Sequence, residues 1–221
     1  MRGLVKYIMS TTYKPLLVKY LSKTRTYSYK GITLEIPPEV FHPGLFFSTK
    51  LLMRYLAKEH LNKKNFLELG AGSGLLSIYA AKEGASVVAT DINPIAIECV
   101  KINAAENQVE VETYQSDVFD NMPLRYFDFV VINPPYYKKK PLAASEYAWY
   151  CGENGEYFQK LFAGLKGFIH RHSNVLMVLC DGCDLEMISR MAKANLFDLV
   201  CVHTQKTLVE RNYIFKIQIP E

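Results

Sequence analysis

Residues 133–136 read Asn-Pro-Pro-Tyr and follow directly on the apolar run 127–132. Two successive prolines fix the backbone and remove two amide donors, so the carbonyls of this segment can only accept. With the Asn133 side-chain oxygen, one of these carbonyls makes a pair of acceptors suited to the two hydrogens of an incoming NH2 group. That pair addresses a chemical problem. An amide or nucleobase amine shares its nitrogen lone pair with a π system and is a poor nucleophile. Held by both hydrogens, its nitrogen is aimed at an electrophile, a proximity effect able to lower the barrier substantially. Tyr136 would cover the planar group or face a cation beside its ring. Asn133, Pro134, Pro135 and Tyr136 are therefore the candidate catalytic residues.

A second constellation lies at 66–74, Phe-Leu-Glu-Leu-Gly-Ala-Gly-Ser-Gly, where a strand pattern runs into glycines and then a helical pattern. Glycines there permit a tight turn and let a ligand approach backbone amides at the helix start. The next apolar run, Val87-Val88-Ala89-Thr90, ends at Asp91, 19 residues beyond Gly72. An acid at that point can accept hydrogen bonds from both ribose hydroxyls of an adenosine. This spacing fits nicotinamide dinucleotides and S-adenosylmethionine alike. The Gly70-x-Gly72-x-Gly74 pattern, in place of G-x-G-x-x-G, and Glu68 two residues before the first glycine favour S-adenosylmethionine. Asp117, after the third strand, would pair with the exocyclic amine of adenine.

These residues need a parallel sheet to bring them to one edge. From residue 65 onward, short β-branched or aromatic runs alternate with helical patterns, the signature of βαβ units. Candidate strands are 65–69, 86–90, 109–114, 127–132, 174–180, 199–204 and 213–219, with helices over 75–83, 94–106, 155–168 and 185–194. The segment 208–212 leaves no room for a helix, so the last two strands form an antiparallel hairpin. Ahead of the sheet, 26–29 and 32–36 flank a Lys30-Gly31 turn and read as a small hairpin. A helix follows near Ser48, with Ser48 or Thr49 as its N-cap. The fold class is doubly wound α/β, divided into an N-terminal extension over 1–47 and a main domain over 48–221.

Composition bounds the rest. Hydrophobic residues make up 49% and charged residues 22% of the 221, the balance of a globular chain and not of a disordered one. No apolar run approaches the roughly 20 residues that span a bilayer, and no signal core opens the chain, so the expected location is cytoplasmic, with no membrane partner. The five cysteines (99, 151, 180, 183, 201) are expected to be reduced thiols, and Cys180-Asp181-Gly182-Cys183 is expected to be a strand-end turn. Residues 1–64 carry 12 Lys and Arg against 3 Asp and Glu, whereas 65–221 carry 14 against 19. The basic N-terminal part, together with Lys138, Lys139 and Lys140, invites contact with an acidic partner such as RNA, or is simply a solvated face.

Taken together, Glu68–Gly74, Asp91, Asp117 and Asn133–Tyr136 resemble the class I methyltransferases with an Asn-Pro-Pro-Tyr motif, and most closely the HemK/PrmC-type branch of the methyltransferase small domain group. Val40-Phe41-His42-Pro43 with Ser48–Leu52, and the stretch Trp149–Gly155, are similar to further segments of that branch, with Cys151 standing where a glycine is expected. The similarity covers about residues 26–219. It implies a Rossmann-like, seven-stranded sheet, with S-adenosylmethionine held by Glu68, Gly70, Ala71, Gly72, Gly74, Asp91, Ile92, Asp117, Val118 and Asn133, and with Thr49 at the same pocket. It also implies methylation of a protein glutamine in a release factor. Only about 25 residues precede the hairpin, too few for the helical N-terminal domain of the bacterial release-factor enzymes. Methylation of an exocyclic base amine in RNA or DNA competes, because both substrates present a planar NH2. A nicotinamide-dependent dehydrogenase and a catalytically idle scaffold are the remaining readings.

Overall fold

A computed structural model of the protein describes residues 21–208 and 210–220. Of the basic N-terminal part, residues 1–20 thus lie outside the described residues. The hairpin consists of β1 (Arg25–Tyr29) and β2 (Ile32–Ile36), joined by Lys30 and Gly31, both with positive φ. Two left-handed central residues match the twist of the flanking strands. Next come α1 (Phe47–Leu56), β3 (Asn65–Leu69), α2 (Leu75–Lys82), β4 (Ser86–Asp91), α3 (Pro94–Glu106), β5 (Glu112–Gln115) and β6 (Phe127–Ile132). The chain continues through α4 (Glu156–Leu165), β7 (Ile169–Cys180), α5 (Leu185–Ala194), β8 (Asp198–Lys206) and β9 (Arg211–Gln218).

The large sheet has seven strands in the order β5-β4-β3-β6-β7-β9-β8, with β9 antiparallel to both of its neighbours. This is the doubly wound α/β sheet expected from the alternating pattern. The strand order reverses between β3 and β6, which pair in parallel with Leu69 opposite Ile132. Gly70 and Asn133, each one residue further on, therefore emerge side by side at the carboxyl edge, where open α/β sheets bind ligands.

Strand periodicity distributes the core. Neighbouring residues point to opposite faces, so Leu67, Val130 and Met177 pack with Phe158, Phe162 and Ile188 of α4 and α5. Phe66, Val131 and Leu176 pack on the other face with Leu52, Ile78 and Cys99 of α1, α2 and α3. The β2 residues Ile32, Leu34 and Ile36 join this second cluster. The outer edge of β2 pairs with two asparagines one turn apart on α3. Asn103 accepts from the Glu35 amide at 2.8 Å and donates to its carbonyl at 3.1 Å, and Asn107 does the same for Thr33. Two helix side chains thus complete the ladder of an edge strand.

Three expectations are corrected. Helix α1 begins at Phe47 and has no side-chain cap; the Thr49 hydroxyl lies inside the helix and accepts a hydrogen bond from Asn133 instead. Strand β5 begins at Glu112 rather than 109, because the Val109 amide bonds back to Ala104 and closes α3 after Gln108 turns left-handed. Strand β7 starts five residues early, at Ile169, where Ser173 bonds to the Phe127 carbonyl at a register shift. The 180–183 segment is the expected turn, with the Cys183 amide bonded to the Cys180 carbonyl, and all five cysteines are free thiols. Among the described residues no helix is long and apolar enough to cross a membrane.

Candidate active site

A cavity of about 610 Å³ opens at the carboxyl edge where β3, β4 and β6 end, within the range of small-molecule sites. Every sequence-named site residue lines it except Gly74. Gly74 is the N-cap of α2 with φ 81°, and a Cβ there would stand 3.2 Å from Val100, so the glycine turns the chain and lets α2 and α3 approach.

The glycine loop is shaped by its own hydrogen bonds. Gly70, Gly72 and Gly74 all have left-handed φ, which other residues adopt only with strain. The Gly70 and Ala71 amides donate to the Thr90 carbonyl, and the Gly74 amide to that of Ala71. The Gly72 amide donates to Asp91 Oδ2 at 2.9 Å. These four amides are therefore taken within the protein, contrary to the expectation that the loop would offer them. What the glycines leave is room for close approach to the backbone.

Because Gly74 has no capping side chain, the α2 amides need another acceptor. Glu68, 4% exposed, supplies it: Oε2 accepts from the Ser77 amide at 2.8 Å and from the Ser77 hydroxyl. Burial raises the Glu68 pKa from 4.5 to about 8 against these bonds, with a smaller push from Asp91. Asp91 itself bridges the loop and the next helix, since Oδ1 accepts from the Asn93 amide at 2.9 Å. Its pKa is also raised by burial, opposed by three backbone hydrogen bonds. Each Asp91 oxygen keeps a lone pair for a further donor.

Asp117 is paired across the cavity wall with Lys160 of α4 at 2.6 Å, and Asp120 contacts the same ammonium. Beside it, Val118 holds φ 54°, a strained conformation for a β-branched residue, while lining the cavity. Asn133 donates from Nδ2 to Thr49 Oγ1 at 3.2 Å. In this orientation the amide nitrogen faces α1, and among the described residues no hydrogen bond engages Oδ1. Tyr136 packs against the main core cluster with its ring 4.7 Å from that of Tyr137.

Several lining residues carry no signal that spacing alone reveals. Phe41, Phe46 and Trp149 form an aromatic cluster with centroids 4.7–5.4 Å apart. Phe41 and Trp149 fall inside the stretches similar to the family, yet only the fold brings them together. Tyr157 and Lys160, three residues apart on α4, were equally unmarked. Seven carboxylate side chains (Glu39, Glu68, Asp91, Asp117, Glu153, Glu156, Glu210) and two lysines (Lys140, Lys160) line the cavity, so its field favours a cationic ligand. Of the lysine run at the mouth, Lys138 pairs with Asp184, and Lys139 pairs with Glu146 while lying over the Tyr150 ring.

The sequence model of the methyltransferase small domain family matches residues 32–148. A Methanocaldococcus jannaschii protein, provisionally named a protein N5-glutamine methyltransferase, is 41% identical over 108 residues, 48% of this chain and 52% of the relative. The ribosomal RNA small subunit methyltransferase C of Escherichia coli O7:K1 is 33% identical over 114 residues, 50% of this chain and 32% of the relative. The chain spans about half the length, or less, of these curated relatives. Among solved structures, the E. cuniculi Mtq2–Trm112 complex, described as responsible for methylation of the eRF1 translation termination factor, superposes with a TM-score of 0.62 at 20% identity. That match covers 82% of this chain and 99% of the other, and it shares the fold.

Proposed function

The chain belongs to the methyltransferase small domain family, and from that membership we propose that it is an S-adenosylmethionine-dependent N-methyltransferase acting on a planar NH2 group, most plausibly the side chain of a protein glutamine. Residues 48–221 form the catalytic domain in this reading and 1–47 its extension. One observation carries it: the Asn133 amide is anchored by Thr49 and lines the same cavity as the glycine loop and Asp91.

The residues present fit the cofactor. The cavity is large enough, Asp91 and Asp117 line it and would accept from the ribose hydroxyls and the adenine amine, and the excess of carboxylates suits a ligand with ammonium and sulfonium charges. The same excess opposes the pyrophosphate of a nicotinamide dinucleotide, whose usual amide donors in the loop are already taken. When bound, S-adenosylmethionine supplies a methyl group activated by the sulfonium. Asn133 Oδ1 and a carbonyl of the Pro134–Pro135 segment accept the two hydrogens of the substrate nitrogen and direct its lone pair toward that methyl. Tyr136 and Tyr137 form an apolar wall beside the planar group.

The acidic cavity and the two paired lysines at its mouth support a neutral protein side chain over a nucleic acid, as does the M. jannaschii relative. The aromatic cluster of Phe41, Phe46 and Trp149 favours the second reading, a nucleobase amine, since every base can stack on such rings. Asn133→Ala is expected to abolish transfer of label from radioactive cofactor to macromolecules in a lysate, while calorimetric binding of S-adenosylhomocysteine persists. Turnover equal to wild type refutes the role of Asn133. Label that resists protease but not ribonuclease overturns the glutamine assignment.

A further inference from the structure

Tyr157 sits in the first turn of α4, two residues after the left-handed Gly155, and its amide donates to the Cys151 carbonyl at 3.0 Å. Its ring packs against the main core cluster and edge-on to Phe158 at 5.4 Å. The ring is thus held in place, and the residue lines the cavity. Its hydroxyl is shut off from solvent and has no hydrogen-bond partner in the protein. An unpaired buried hydroxyl lowers stability, and in a binding cavity it marks the place of a ligand atom. Burial first, then the carboxylates of Asp91 and Asp117, hold the phenol pKa well above its ordinary value. The group is therefore a neutral donor at physiological pH.

Both Asp91 oxygens already accept a backbone amide, and in the cofactor reading they accept from the sugar hydroxyls as well. A sugar hydroxyl that donates to Asp91 keeps its own lone pairs, and these need a donor. We propose that Tyr157 is a cofactor-positioning residue whose hydroxyl donates to a ribose hydroxyl of the bound nucleoside. This rests on the cofactor reading above. It adds a second α4 residue, beside Lys160, to the cavity wall.

Tyr157→Phe keeps the ring and removes only the hydroxyl. In calorimetric titrations with S-adenosylhomocysteine the variant is expected to bind about tenfold more weakly, the effect of one lost hydrogen bond. The thermal midpoint of the ligand-free variant should be unchanged or higher, because an unsatisfied group has gone. In displacement titrations, wild type should prefer adenosine over 2′,3′-dideoxyadenosine by a larger ratio than the variant does. Equal affinity of variant and wild type for S-adenosylhomocysteine, or equal ratios for the two nucleosides, overturns the assignment. So does weaker binding accompanied by a lowered midpoint, which would make the hydroxyl structural. No heat from wild type with S-adenosylhomocysteine removes the cofactor reading itself; heat from wild type with no loss in the variant removes only the role of Tyr157.

Discussion

Replacing Thr49 by valine tests how the amide is aimed. The substitution keeps the shape of a side chain that is 6% exposed and removes only the oxygen that accepts from Asn133 Nδ2. At 3.2 Å this bond is at the long end of the N–H···O range, which places it near the middle or lower part of the usual contribution of about 0.5–1.5 kcal/mol. A loss of about 1 kcal/mol corresponds to roughly a fivefold change in the ratio of anchored to unanchored amide. Transfer of labelled methyl should therefore fall about fivefold in Thr49→Val, while the affinity for S-adenosylhomocysteine stays constant. The melting midpoint should drop by only about 2–4 °C, as expected for a loss of that size in a domain of this length. In an Asn133→Ala background the same valine should cost little further in stability, because the two groups act as one unit. If Thr49→Val weakens cofactor binding as much as it slows transfer, the hydroxyl holds the cofactor and does not aim the amide. Full activity in the variant would refute the orientation argument outright.

Glu68 gives a pH signature. Its folded-state pKa, raised from 4.5 to about 8 by burial, means that the native state holds the proton more tightly than the unfolded chain. Its contribution to stability is full below about pH 4.5 and is lost as pH rises through about 8. Glu68→Gln keeps an acceptor for Ser77 and cannot titrate, so the midpoint difference between wild type and variant should change across pH 5–8 in that direction, by up to a few kcal/mol in stability; parallel melting curves across that range would exclude the shift. Asn103→Ala strips the Glu35 amide of its acceptor, leaves the Glu35 carbonyl with only the Cys99 thiol, and takes the side-chain donor from the Ser73 carbonyl. It should cost about 3 kcal/mol in denaturant unfolding and expose the Lys30 turn to trypsin, whereas an unchanged cleavage rate would show that the hairpin is held by its apolar face alone.

What could be read from the chain in advance, and what could not, divides along a physical line. Strand ends announce themselves locally: a β-branched run, a glycine that must turn left, a proline pair that removes donors. Hence β3, β6, α3 and α5 fall at the expected residues, and Asp91 and Asn133 share the expected edge. Groups that act across the fold leave no such mark. Thr49 looked like a helix cap because caps are local, yet its hydroxyl meets an amide 84 residues away. Lys160 and Tyr157 read as ordinary positions of an amphipathic helix, and only the packing of α4 on β6 and β7 carries them to the cavity. The start of β5 was misplaced for a related reason, since Val109 has strand chemistry but its amide closes the end of α3.

This division bears on the site itself. In the cofactor reading the loop and strand-end residues hold the nucleoside, and each is fixed by bonds within the segment from β3 to α3: Gly72 to Asp91, Asp91 to Asn93, Glu68 to Ser77. The groups that orient and complete the site come from elements distant in sequence: α1 through Thr49, α4 through Tyr157 and Lys160, and the aromatic cluster spanning residues 41 to 149. Substrate choice should follow the second set. A change in the α1 or α4 residues can redirect or misalign an NH2 group without disturbing the strand ends, whereas a change at Gly72 or Asp91 unmakes the loop on which any such choice depends. Variants in the two sets should therefore separate cleanly, the first altering transfer at constant fold and the second altering both together.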